Sequence, residues 1–121
     1  MVIFDTNILI YLSNYTLTLP NIILNQASIS VITKIEALGY AFKNKAEHEL
    51  LVDLCDVIPV IPLTDAIAEA TIDIRKKHRI KLPDAIIYAT AAVQNLPLLT
   101  NNIADFKSLG NKVELIDPFT L

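Results

Sequence analysis

Hydrophobic residues along the chain fall into two alternating patterns. Short, nearly continuous apolar runs at Val2–Phe4, Ser28–Ile32, Val57–Leu63 and Leu96–Thr100, with a weaker one at Lys112–Ile116, predict strands. Between them, apolar positions recurring every three or four residues predict helices over Lys34–Lys43, Ala46–Cys55, Asp65–His78 and Asp84–Gln94. Shorter helices are expected near Thr6–Ser13, Pro20–Asn25 and Ala104–Leu109. Strands that are apolar almost throughout suit burial on both faces, and alternation of strand with helix suits right-handed crossovers. The expected class is therefore α/β, with a parallel sheet flanked by helices.

Composition narrows this picture. A length of 121 residues with 53% hydrophobic and 19% charged residues fits one domain, residues 1–121, with one core. There is no visible repeat or low-complexity tract. The single cysteine, Cys55, lies in the apolar run Leu50-Leu51-Val52-Asp53-Leu54-Cys55 and reads as core filler rather than nucleophile. The start Met1-Val2-Ile3-Phe4-Asp5 lacks a basic leader, and no apolar stretch reaches the roughly 20 residues of a membrane helix, so a cytoplasmic, membrane-free protein is expected. A net charge of −3 excludes nucleic-acid binding through bulk positive charge, so any such contact must be local. Mean hydropathy of +0.47 is high for a small soluble domain and suggests that a partner or second copy covers apolar surface.

Parallel sheets bind ligands at the carboxyl ends of their strands, where strand order reverses. Asp5 directly follows the first strand, Glu36 falls four residues after the second, and Asn101, Asn102 and Asp105 follow the strand ending at Thr100. Asp84 opens the helix that feeds this last strand, and its presence at the same edge depends on where that helix begins. Each acid also has a purely structural reading. Asp5 can cap the helix at Thr6, and Thr33-x-x-Glu36 is a capping-box pattern. Asp84, just after Pro83, complements a helix dipole, and Asp105 can do the same. Capping does not require carboxylates to converge, whereas binding a hard cation such as Mg²⁺ or Mn²⁺ does. His48 and His78 are isolated, read as surface residues, and offer no zinc pattern.

These residues resemble the PIN-domain nucleases and, among them, the short VapC-type toxins of prokaryotic toxin–antitoxin pairs. The resemblance is carried by Val2-Ile3-Phe4-Asp5-Thr6-Asn7-Ile8-Leu9-Ile10 and by Ser30-Val31-Ile32-Thr33-Lys34-Ile35-Glu36-Ala37-Leu38-Gly39. It continues in Leu82-Pro83-Asp84-Ala85-Ile86-Ile87-Tyr88-Ala89-Thr90-Ala91 and Leu99-Thr100-Asn101-Asn102-Ile103-Ala104-Asp105-Phe106, so it spans the chain in order. It implies a four- or five-stranded parallel sheet and a homodimer. It further implies endonucleolytic cleavage of RNA with one or two Mg²⁺ or Mn²⁺ ions, leaving 5′-phosphate and 3′-hydroxyl ends. Asp5, Glu36 and Asp84 match the family's metal-binding acids, and Thr6, Asn7 and Thr100 its supporting polar positions. Family members vary in the last motif; here Asp105 is taken as the fourth acid, with Asn102 in support. The resemblance also implies a cognate antitoxin that lays a C-terminal segment along an apolar groove of the protein and obstructs the metal site.

The stretch Arg75-Lys76-Lys77-His78-Arg79-Ile80-Lys81 holds five of the ten Lys and Arg residues. It is a candidate RNA backbone contact, or else a solvated helix end whose cations favour the dipole. Two other functions compete with the nuclease: a catalytically inactive PIN-fold module that binds RNA or antitoxin, suggested by Asn102 where some relatives carry an acid, and a phospho-accepting receiver. The receiver reading fits poorly, because the first strand ends in one acid rather than a pair and Asp65 reads as a helix start.

Overall fold

The computed structural model describes residues 1–40 and 44–121. Five short strands form one parallel sheet: β1 (Val2–Phe4), β2 (Ala27–Ser30), β3 (Val60–Ile61), β4 (Leu98–Leu99) and β5 (Leu115–Ile116). Their order is β3-β2-β1-β4-β5, so the chain first winds outward from β1 in one direction and then restarts on its other side. The crevice between the ends of β1 and β4 is the switch point of the sheet.

The helices are α1 (Thr6–Ser13), α2 (Asn21–Leu24), α3 (Val31–Leu38), α4 (Lys45–Val57), α5 (Asp65–Lys77), α6 (Leu82–Gln94) and α7 (Ile103–Lys107), followed by a 3-10 turn at Pro118–Thr120. Alternation along β1 divides the core into two layers. Val2 and Phe4 face a cluster with Ile8, Leu9, Leu51 and Cys55, from α1 and α4. Ile3 faces the opposite cluster with Ile87, Tyr88, Ala91 and Phe106, from α6 and α7. All three β1 side chains are buried, as their unbroken apolar run predicts. Cys55 is 3% exposed and belongs to the first cluster, in keeping with a packing role.

Boundaries differ from the sequence expectation in instructive ways. The run Val57–Leu63 does not form one strand: α4 continues to Val57 and only Val60–Ile61 pair with β2. Leu51, Leu54 and Ile58 keep the helical spacing that buries this face, and Pro59, lacking an N–H, ends it while its carbonyl accepts from Ile29 N–H at 3.0 Å. The run Ser28–Ile32 likewise splits at Ser30, whose hydroxyl accepts from Ile32 N–H at 3.2 Å and caps α3. The helix expected over Lys34–Lys43 thus starts three residues earlier and ends at Leu38 before Gly39; positions 41–43 lie outside the described residues. A Cβ on Gly39 would stand 2.9 Å from the Ile35 carbonyl oxygen, so the close approach of the chain here requires glycine. His48 and His78 are both partly covered rather than fully exposed.

Candidate active site

Asp5 is fixed from three directions. Its backbone N–H donates to the Leu99 carbonyl at 3.0 Å, continuing the β1–β4 pairing beyond the strand ends. Its Oδ1 accepts from Thr6 N–H at 2.8 Å, which caps α1. Its Oδ2 accepts from the Thr100 hydroxyl at 2.8 Å across the switch point. Thr100 is itself oriented, because its Oγ1 accepts from Asn102 N–H at 3.0 Å, leaving its single proton for the carboxylate. Each Asp5 oxygen keeps lone-pair capacity for another partner.

Glu36 is held by a second polar chain. The Thr6 hydroxyl donates to Glu36 Oε1 at 2.8 Å and lies 3.1 Å from Thr33 Oγ1. A hydroxyl has one proton, so with that of Thr6 on the carboxylate, Thr33 is the donor of the threonine pair. The capping box read from Thr33-x-x-Glu36 does not form. Ser30 is the cap, Thr33 already lies within α3, and Glu36 one turn on points to α1 instead of back along its own helix. Thr33 is fully buried and is a supporting residue that sequence reasoning read only as a cap.

Asp84 reaches the same place because α6 begins early. Pro83 sits in its first turn, Lys81 is its cap residue, and Asp84 follows immediately. Asp5, Glu36, Asp84, Asn102 and Asp105 all line one cleft of about 810 Å³, together with Thr6, Asn7, Tyr40, Arg79 and Lys81. Thr100 lies beneath this surface, fully buried. Among the cations of the basic stretch, Arg79 and Lys81 line the cleft, while Arg75, Lys76, Lys77 and again Arg79 line a neighbouring groove. Tyr40 and Ile10 are further cleft residues that carried no chemical signal in the sequence. Asp65, the acid the receiver reading needed, is in the first turn of α5 and does not line the cleft.

The electrostatics reflect crowding of like charge. The Asp5 carboxyl is pushed above its usual range, first by burial and also by Glu36, against the opposing pull of the Thr100 and Thr6 hydrogen bonds. The Asp84 carboxyl is raised too, by burial and then by Asp5 and Glu36, with a smaller push from Asp105; Lys81 acts in the other direction. Thus all four acids act on the same small region. Among the described residues, no three His, Cys, Asp or Glu side chains are close enough to form a ready-made cage for one ion. Mg²⁺ keeps several of its waters and is bound through one or two carboxylates, so it does not need such a cage. Oxygen donors, shared negative charge and raised carboxyl pKa values make the cleft chemically suited to a hard divalent cation.

A protein fold of this kind, with acids gathered at the switch point of a parallel sheet, has well-defined relatives. The PIN-domain family profile matches residues 2–112, and the chain belongs to that family. It is similar to a chain in a toxin–antitoxin complex from Klebsiella pneumoniae, at 33% identity over 98% of both chains with a TM-score of 0.73. It shares its fold with a chain of DNA-bound VapBC from Salmonella typhimurium, at 23% identity over 96% of each chain with a TM-score of 0.76. The fold also matches FitAcB from Neisseria gonorrhoeae, at 23% identity over 100% of both chains with a TM-score of 0.71. No curated protein matches the sequence.

Proposed function

We propose that this protein is a metal-dependent endoribonuclease and the toxin of a VapC-type toxin–antitoxin pair. The observation that carries the reading is the convergence of Asp5, Glu36, Asp84 and Asp105 on one cleft at the sheet's switch point. Membership of the PIN family and similarity to a chain of a toxin–antitoxin complex support it.

In this reading Asp5, Glu36, Asp84 and Asp105 bind one or two Mg²⁺ or Mn²⁺ ions. Bound there, the divalent cation supplies a Lewis acid that acidifies a water and balances charge on the phosphodiester. The chain's own contribution is positioning. Thr100 and Thr6 N–H hold the Asp5 carboxylate, while Thr6 and Thr33 hold that of Glu36. Asn102 and Asn7 add polar groups on the cleft wall, and Arg79 and Lys81 place positive charge beside the acids where a substrate phosphate arrives. Hydrolysis leaves 5′-phosphate and 3′-hydroxyl ends. The protein works in the cytoplasm as a homodimer and is silenced by its antitoxin. Exposed apolar side chains such as Ile22, Ile35 and Val57 supply surface for such contacts. Among the described residues no helix is long and apolar enough to cross a membrane.

Purified protein with Mg²⁺ or Mn²⁺ cuts single-stranded RNA, and the Asp5→Asn and Asp84→Asn variants do not. Equal cleavage by all three preparations would reveal a contaminant and overturn the assignment. The alternative, a PIN fold that binds RNA or antitoxin without turnover, is favoured by Asn102 on the cleft wall, where some relatives carry an acid. Calorimetric titration with Mn²⁺ separates the two, since absence of binding at millimolar metal leaves only the binding module.

A further inference from the structure

The neighbouring groove, about 820 Å³ and lined by Arg75, Lys76, Lys77, His78 and Arg79, is continuous with the acid cleft, because Arg79 and Ile80 line both. Its cations end α5, where the helix dipole favours positive charge. That explanation stops at His78, the cap residue of α5. Arg79 lies beyond that helix, and Lys81 is the cap residue at the start of α6, where the dipole disfavours a cation. The dipoles therefore account for Arg75, Lys76 and Lys77, are silent on Arg79 and run against Lys81. What all five share is the surface they form: a row of exposed cations leading to a cleft whose walls carry Asp5, Glu36, Asp84 and Asp105.

Four carboxylates repel a polyanion until cations neutralise them, so positive charge beside the cleft adds affinity for one. The exposed apolar side chains Ile72 and Leu82 share the groove with the cations and give base or ribose faces a surface to lie on. An open, positively charged groove is what tracks the backbone of a single nucleic-acid strand. We propose that this groove is a second substrate subsite, a phosphate track that holds single-stranded RNA to one side of the acid cleft. The track makes cleavage depend on RNA length, because a fragment confined to the cleft cannot reach Arg75, Lys76 and Lys77. This inference rests on the ribonuclease reading of the cleft and adds to it where the rest of the strand runs.

The test compares a 20-nucleotide RNA spanning a mapped cleavage site with the dinucleotide that carries the scissile bond, using wild type and the Lys76→Gln/Lys77→Gln double variant. For the long RNA, KM rises about fivefold or more with little change in kcat, and the slope of log KM against log salt flattens by about 1 to 1.5, from roughly 0.7 per lost phosphate contact. For the short RNA, the ratio of the two KM values stays near one. The Lys76→Arg/Lys77→Arg variant restores wild-type behaviour, which separates charge from folding. Equal loss on both lengths, or no loss on either, overturns the track. Anisotropy of the labelled long RNA on Asp84→Asn protein, with and without the groove substitutions, reads the track directly even if no preparation cuts RNA. In that event the nuclease reading falls while the track is judged on binding alone. Substitutions that spare RNA binding but weaken binding of polyglutamate would give the groove to an acidic protein segment, and the proposal would fail.

Discussion

The Thr100 hydroxyl donates to the Asp5 carboxylate at 2.8 Å although the two residues are 95 positions apart. Their contact bridges the ends of β1 and β4, the two strands that flank the switch point. It fixes a buried acid that also caps α1, so one side chain serves both the helix and the cleft. Removing the hydroxyl tests how far this positioning matters. Thr100→Val, close in shape, should weaken Mn²⁺ binding or cleavage about 10- to 100-fold, the range for residues that orient a metal ligand. Calorimetry and cleavage kinetics across Mn²⁺ concentrations check this; an unchanged metal dependence would show that Thr6 N–H alone holds Asp5.

Like charge in the cleft should make function and stability oppose each other. Asp84 is raised by burial and by the negative charge of Asp5, Glu36 and Asp105, so neutralising it relieves repulsion in the metal-free protein. Asp84→Asn is expected to raise Tm without metal while abolishing cleavage. Thermal melts in chelator with and without the substitution measure it, and a lower Tm would mean that the carboxylate is structurally required.

The pH dependence follows from the same groups. Asp5 and Asp84 both have folded pKa values above their unfolded ones, so the folded state binds more protons between the two values. Stability of the metal-free protein therefore falls as pH rises through this window, from the ordinary carboxyl range upward, and the destabilisation is complete above the raised values. Divalent cation at neutral pH should reverse it, raising Tm more at pH 7 than at pH 4.5, where the acids bind protons instead. Melts in Mn²⁺ and in chelator at the two pH values decide the matter; an equal metal effect at both would remove the cleft from the linkage.

Ser28 provides a test of the core away from the cleft. It pairs with Ile3 in the β1–β2 register, and its buried hydroxyl has no hydrogen-bond partner among the described residues. An unpaired buried hydroxyl costs about 1 to 3 kcal/mol. Ser28→Ala should therefore raise stability by about 1 kcal/mol in a urea titration with unchanged m-value. Destabilisation would point to a partner gained through a small shift or an enclosed water.

The acidic positions were legible because they stand next to recognisable elements. Asp5 follows a three-residue apolar run, and Asp84 follows Pro83 at a helix start, so their motif context alone drew attention to them. The link from Thr33 through Thr6 to Glu36 was not legible. Its members belong to separate local patterns, and the Thr33-x-x-Glu36 spacing pointed to a different bond, which Ser30 replaced. The split of the basic stretch was equally hidden. A run of cations has no direction until α5 ends and α6 begins, and that turn sends Arg79 and Lys81 to the cleft and Arg75, Lys76 and Lys77 to the groove.

By itself the sequence determined the α/β class, most of the strand and helix segments and a parallel sheet, since these follow from local apolar periodicity and from strands buried on both faces. It also marked the four acids as a set. Only the tertiary structure decided that they share one cleft, that α4 runs through Val57, and that Thr100 lies against Asp5. Each of these depends on contacts between residues distant along the chain: the β1–β4 pairing sets the first and last, and packing of Leu51, Cys55 and Ile58 against the sheet sets the second. Such contacts are fixed by burial and by satisfying polar groups in three dimensions, which no local pattern encodes.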